Sequence, residues 1–335
     1  MAWSDFLWLA VGITLLTTGG GTVVRGATGL ARRLGGSPLV IGLTVVAFGT
    51  SAPELAVNVI AAIQGQGAIS FGNIIGSNMA NIGLIVGLTA ILRPIVIKDV
   101  VIRRELPMML LATAGVLAMG FDNALSSGGA VRSFEDFYTR SDGILLLMFF
   151  LVFLYYTVGE FVRPRAIAGE GLAKGQPQAG TEDPLWRSLA VTTLGLALLI
   201  AGAELTVNAA VNLARALGVS EELIGLTLVA VGTSLPELVA SVTATFRGHA
   251  ELAIGNVVGS NIFNLLLVLG VTSIVNPVPV PPGGHTDLLV VTGLSLMLFG
   301  VSVSYRQEIV RTEACVLLAV YLGYLGWRSG IAFVG

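Results

Sequence analysis

The chain has 335 residues, 54% of them hydrophobic and only 11% charged, with a mean hydropathy of +0.87. Soluble domains carry roughly 25% charged residues, so a soluble globular protein is excluded and a polytopic all-α membrane protein is indicated. The net charge of -2 points to no charged partner, and a lone cysteine, Cys315, excludes a disulfide framework or a cysteine metal site.

Crossing about 30 Å of hydrocarbon takes roughly 20 apolar residues in a helix. About ten such windows follow in chain order: 3–24, 38–64, 69–92, 101–120, 142–161, 187–209, 221–246, 251–275, 286–303 and 312–330. No basic n-region precedes the first run, so it is expected to stay as a span and not be cleaved as a signal peptide. A polar stretch at 121–141 reads as an exposed loop. A Gly-, Pro- and charge-rich linker at 163–184 divides the chain into halves of five spans, 1–162 and 185–335. The four tryptophans, Trp3, Trp8, Trp186 and Trp327, fall near span ends, as interfacial anchors do.

The two halves are related. Residues 42–91 contain GLTVVAFGTSAPEL and FGNIIGSNMAN, and residues 225–274 contain GLTLVAVGTSLPEL and IGNVVGSNIFN, at a constant offset of 183 with nearly half the aligned positions identical. LARRLGGSPLVIGL (30–43) also matches LARALGVSEELIGL (213–226), so span one pairs with six, two with seven and three with eight. Five spans per half is an odd number, which predicts antiparallel repeats, an arrangement found in many secondary transporters. With both termini outside, fourteen Lys and Arg face inward (Arg25, Arg32, Arg33, Arg93, Lys98, Arg103, Arg104, Arg163, Arg165, Lys174, Arg187, Arg247, Arg306 and Arg311). Four face outward: Arg132, Arg140, Arg215 and Arg328. That asymmetry sets the expected orientation.

The repeated polar positions are Thr50/Thr233, Ser51/Ser234, Glu54/Glu237, Asn73/Asn256, Ser77/Ser260, Asn78/Asn261 and Asn81/Asn264. Ionisable groups at membrane depth are costly and mark ion or proton pathways. A proline in a helix removes a donor and clashes with the carbonyl four residues earlier, so Pro53 and Pro236 are expected to free the carbonyls of Gly49 and Gly232 beside the hydroxyls and carboxylates. Asn73, Ser77 and Asn81 fall on one helix face, as do Asn256, Ser260 and Asn264. Glycines 72, 76, 255 and 259 are expected to allow close packing and bending, so that four broken helices meet near the midplane around Glu54 and Glu237. Asn78 and Asn261 read as packing or capping residues. Glu204, opposite Gly21 in the repeat, has no symmetric acid.

An all-oxygen cluster favours Na⁺, K⁺, Ca²⁺ or Mg²⁺. Zinc or copper is poorly supported, because His249 and His285 fall in predicted loops. Two carboxylates are neutralised by one Ca²⁺ or two Na⁺, or either can take a proton, so charge balance predicts competition between cations. A cation channel built on the same acids is the rival transport reading. An intramembrane hydrolase lacks a core histidine.

These motifs resemble the α1 and α2 repeats of the cation/calcium exchanger superfamily, in its sodium/calcium exchanger branch, and the short linker is similar to that of prokaryotic members. The resemblance covers most of the chain. It implies a ten-helix antiporter in a prokaryotic inner membrane, exchanging Na⁺ for Ca²⁺ as helices one and six slide across the core, with no enzyme activity, cofactor or obligate protein partner. It implies Glu54 and Glu237 as the shared acidic ligands. Thr50, Ser51, Ser77, Asn81, Thr233, Ser234, Ser260 and Asn264 would add oxygen, completed by the backbone carbonyls of Ala47 and Ala230. Some relatives carry aspartate where this chain has Asn264, and in the potassium-dependent branch that acid resembles a K⁺ determinant; the calcium/proton branch has a GNxxE-type pattern where this chain reads GNIIG and GNVVG. Both comparisons favour Na⁺/Ca²⁺ exchange without K⁺ or proton coupling.

Overall fold

The computed structural model describes residues 3–122, 136–162, 184–217, 232–303 and 307–334. The greater part of the expected 121–141 loop, nearly all of the 163–184 linker and the first half of the seventh span, Ala230 included, lie outside the described residues.

Eleven helices are present among the described residues. They are α1 (Trp3–Leu34), α2 (Pro38–Thr50), α3 (Ala52–Ile63), α4 (Gly67–Leu92), α5 (Leu106–Met119), α6 (Arg140–Val162), α7 (Leu185–Ala216), α8 (Leu235–Phe246), α9 (Ala250–Val275), α10 (Gly284–Ser302) and α11 (Arg311–Val334). Six of them are long and apolar enough to cross a membrane, and α2 with α3, bent by 42° at Ser51, makes a seventh if the pair is one span. The protein is thus an integral membrane protein of helical type. Two short antiparallel pairs tie the loops. β1 (Ile95–Val96), which follows α4, pairs with β4 (Glu308–Ile309), which precedes α11. β3 (Val278–Pro279), which follows α9, pairs with β2 (Phe137–Tyr138), which precedes α6.

Helices α4 and α9 form the centre. In their apolar windows 78% and 83% of residues are buried, against 28–39% for α1, α6, α7 and α10, whose outer faces are apolar and suited to lipid. The Phe263 ring of α9 anchors an aromatic cluster with Phe48, Phe150 and Phe153, at centroid separations of 5.8, 4.9 and 6.4 Å. Helices α1 and α7 lie along one another through glycine contacts: a Cβ on Gly195 would meet the Val23 amide at 2.5 Å, and one on Gly202 the Leu16 amide at 2.7 Å. In lipid, where apolar burial drives little, such backbone approach is what holds helices together.

Two expectations are corrected. Helices α1 and α7, expected to end near 24 and 209, run on to Leu34 and Ala216, so Arg25, Arg32 and Arg33 lie on a helix and not in a loop. Counting apolar residues finds where the hydrocarbon ends, whereas the helix stops only at Gly35, whose φ of +68° suits a glycine C-cap. Secondly, among the described residues one broken helix pair is present, at Ser51, and Ser234 leaves helical geometry in the same way just before α8. Helices α4 and α9 are continuous and absorb their irregularity as π-helical turns, Asn81–Val86 and Phe263–Val268. A π turn inserts one extra residue per turn and is frequent at functional sites; the Gly/Asn sequence does not announce it.

Candidate cation site

The interruption at Ser51 follows from the proline two residues later. Pro53 sits in the first turn of α3, where its missing N–H costs nothing, and Ser51 leaves the helix with φ −87°, ψ 2°. Ser234 repeats this before α8, with φ −90°, ψ 5° and Pro236 in the first turn. The N–H of Ser51 still bonds to the Ala47 carbonyl at 2.9 Å, and Thr50 Oγ1 lies 3.3 Å from that same oxygen. The break thus places Thr50, Ser51 and Glu54 around one helix end, and Thr233, Ser234 and Glu237 around the other.

Glu54 and Glu237 are both 1% exposed. Ser51 Oγ, from the first motif, donates to Glu237 Oε1 of the second at 3.3 Å. Thr50 Oγ1 lies 3.2 Å from Asn256 Oδ1 and 3.1 Å from the Val46 carbonyl. Asn81 Nδ2 donates to Asn261 Oδ1 at 3.3 Å, a direct link between α4 and α9. Residues 180 or more apart in sequence are therefore in direct contact, and the two motif copies pack on one another.

Several oxygens of the two motif copies are left without a partner. Glu54 Oε2, Glu237 Oε2, Ser77 Oγ, Ser234 Oγ, Ser260 Oγ, Asn81 Oδ1 and Asn264 Oδ1 are buried without a hydrogen-bond partner among the described residues. Buried polar atoms are nearly always paired, and an unpaired hydroxyl or carboxylate oxygen costs on the order of 1–3 kcal/mol. Oxygen donors without a partner suit a hard cation, which takes six to eight oxygens as Ca²⁺ or fewer as Na⁺. No cluster of three or more His, Cys, Asp or Glu occurs among the described residues, so the acid count stays at two. His285 lies in the first turn of α10 rather than in a loop, and bonds to Asp136 Oδ2 at 2.8 Å.

Two residues outside the expected ligand set hold it in place. Asn58, one turn beyond Glu54, donates at 2.7 Å to the Glu54 carbonyl and to Asn73 Oδ1. Its repeat counterpart Ser241 receives Asn256 Nδ2 at 3.0 Å, while Asn256 also reaches the Glu237 carbonyl at 3.4 Å. A polar residue at the fourth position after each glutamate, in both copies, is the signal that finds them. Asn78 donates within its helix to the Ile74 carbonyl at 2.7 Å, in keeping with a packing role, whereas Asn261 bridges α4 to Met109 Sδ at 3.6 Å. Of the predicted glycines, Gly255 and Gly259 are close contacts, since a Cβ would meet the Leu39 carbonyl at 2.5 Å and Ala47 Cβ at 2.7 Å. Glu204 is exposed on α7.

Comparison with known proteins agrees with this geometry. The chain matches the family described as sodium/calcium exchanger protein over residues 4–159 and 187–330. It is 33% identical to the sodium/calcium exchanger MaX1 of Methanosarcina acetivorans, covering 96% of this chain and 97% of that protein. It is 34% identical to the inner membrane protein YrbG of Escherichia coli K12, over 96% and 97% of the two chains. The solved structure of the sodium-calcium exchanger NCX_Mj, soaked with Na⁺ and Ca²⁺, superposes with a TM-score of 0.80 at 32% identity, over 97% of this chain and 99% of that one.

Proposed function

The chain belongs to the sodium/calcium exchanger family, and from that premise we propose that it is a secondary antiporter exchanging Na⁺ for Ca²⁺ by alternating access. The observation that carries this is the contact between the two motif copies, Ser51 Oγ to Glu237 Oε1, with both glutamates buried and neutral oxygens of the same motifs left without other partners among the described residues. Glu54 and Glu237 are the shared acidic ligands. Thr50, Ser51, Ser77 and Asn81, with Thr233, Ser234, Ser260 and Asn264, supply neutral oxygen, and the carbonyls of Ala47 and Ala230 complete the set. One Ca²⁺ or two Na⁺ neutralise the acids, so the ions compete for the same two charges.

The architecture is ten spans in two inverted repeats, 1–162 and 185–335, joined by the cytoplasmic linker 163–184. The counterpart breaks at Ser51 and Ser234 support it, as do the counterpart π turns in α4 and α9. So do the strand pairs, in which β1 and β3 are repeat mates. Both termini lie outside, in the cell membrane of a prokaryote, as the lysine and arginine asymmetry supports.

Purified protein in Na⁺-loaded proteoliposomes takes up ⁴⁵Ca²⁺ when external Na⁺ is removed, and fails to when the internal ion is choline. Uptake that ignores internal Na⁺ overturns exchange and favours a channel. Uptake driven only by K⁺ or by a proton gradient reassigns the coupling ion.

A further inference from the structure

Helix α1 lies on α8 through two glycines. A Cβ on Gly20 would meet Thr243 Oγ1 at 2.9 Å and Val239 Cγ1 at 3.0 Å. The guanidinium of Arg247, at the C-terminal end of α8, covers Gly21 and donates Nη1 to its carbonyl at 2.7 Å. The repeat offset of 183 gives each of these residues a counterpart: Ala203 and Glu204 on α7, and Ala56, Ile60 and Gln64 at the outer end of α3. These counterparts are not joined in the same way. Ala56, Ile60, Gln64 and Glu204 are all exposed, with Ile60 at 53%. Of two grooves that the repeat makes equivalent, the α1–α8 groove is filled and the α7–α3 groove is open.

The chemistry is unequal as well as the geometry. Gly21 presents a bare carbonyl to a cationic fork of donors, which Arg supplies in rigid form. Its counterpart is Glu204, and the counterpart of Arg247 is the neutral Gln64, which offers no cationic donor. Repeat one therefore lacks the contact that repeat two makes.

We propose that Arg247 is a conformational latch: by bonding to the Gly21 carbonyl it holds the α1–α8 groove closed on the linker side and biases the exchanger toward the state open on the opposite side. This rests on the alternating-access reading above and on the orientation given there. Because hydrogen bonds from charged donors are among the stronger ones, loss of the latch shifts the ratio of the two states by about tenfold.

The test uses full-length protein in nanodiscs, where both faces are reachable, in a Cys315→Ser background because that thiol is exposed. Ile60→Cys reports the open groove and Val239→Cys the closed one, each through its rate of reaction with a charged maleimide. Arg247→Gln is expected to raise labelling at position 239 about tenfold and to lower it at position 60, with Arg247→Lys in between. Gln64→Arg, which offers repeat one a comparable donor and leaves Arg247 intact, is expected to move both rates in the same directions. Unchanged rates, or rates that rise at both positions, overturn the latch; if Arg247→Gln does not fold, Gln64→Arg decides alone. Na⁺-driven ⁴⁵Ca²⁺ uptake by the Cys315→Ser protein separates the two levels, since its absence refutes exchange, whereas its presence with unmoved labelling refutes only the latch.

Discussion

Replacing Glu237 by glutamine keeps the side chain's shape and removes one of the two formal charges at the site. The residue is 1% exposed, so solvent screens little of the change. At an effective dielectric near 20, a unit charge about 4 Å from a monovalent cation is worth roughly 4 kcal/mol, and twice that from a divalent one. The substitution therefore penalises Ca²⁺ by about 4 kcal/mol more than Na⁺, on the order of a thousandfold in relative affinity. The ion-free protein, relieved of a buried charge whose Oε2 has no partner among the described residues, is expected to keep or raise its melting temperature. Two measurements check this. Na⁺-driven ⁴⁵Ca²⁺ uptake falls to background in Glu237→Gln. Ca²⁺, which at 100 times its dissociation constant stabilises the wild type by about 2.7 kcal/mol, no longer shifts the variant's unfolding at the same concentration. Uptake within about threefold of wild type, or equal losses of Ca²⁺ and Na⁺ affinity, refutes the charge argument.

Further outcomes follow from neighbouring contacts. Gly255→Val drives a side chain into the Leu39 carbonyl, 2.5 Å from its Cβ, and is expected to cost at least 1–3 kcal/mol in thermal unfolding; Gly323→Ala, with nothing within 4 Å, leaves the melting temperature unmoved. Asn256→Ala frees Ser241 and the Glu237 carbonyl and costs about 1–3 kcal/mol, raising the Ca²⁺ concentration for half-maximal uptake while both acids stay in place. Asn264→Asp adds a third charge at a side chain neither of whose polar atoms has a partner among the described residues; ⁴⁵Ca²⁺ uptake then becomes dependent on an added monovalent ion, read as stimulation by external K⁺. Tyr138→Phe deletes the bond to the Val116 carbonyl at 2.9 Å and lowers stability by about 1 kcal/mol without altering uptake.

The sequence exposes the chemistry of the site more fully than its geometry. Two acids in apolar runs, repeated at one offset, are visible because a charge in hydrocarbon is improbable without a use. The breaks at Ser51 and Ser234 are legible because proline acts locally, on its own amide and the carbonyl one turn before. The π turns in α4 and α9 are not, since they depend on how each helix is pressed by its neighbours; Phe263, for example, is held by rings from α2 and α6. The extra length of α1 escaped an apolar count for a related reason: composition reports the solvent around a helix, while capping at Gly35 decides its end. Asn58 and Ser241 are marked in the sequence only by their shared position four after each glutamate; their partners, Asn73 and Asn256, lie across a helix pair whose facing is set by the fold.

Coupling follows from the cost of moving this cluster uncompensated. Glu54 and Glu237 are closed off from water on a core built of α4 and α9, and several of their neighbouring oxygens are satisfied by nothing else among the described residues. Carrying two unpaired carboxylates through an occluded state costs several kcal/mol per charge, so a carrier without cations changes sides slowly. One Ca²⁺ or two Na⁺ remove that cost equally well as charges, though by different numbers of ions. On the proposed ligand set the two loads are thus alternatives for one pair of acids, and each is expected to permit the crossing that the uncompensated pair resists. On that set, exchange follows from placing two charges in the core for which both substrates compete, with Asn81 and Asn264, rather than acids, at the positions where a third charge would be added.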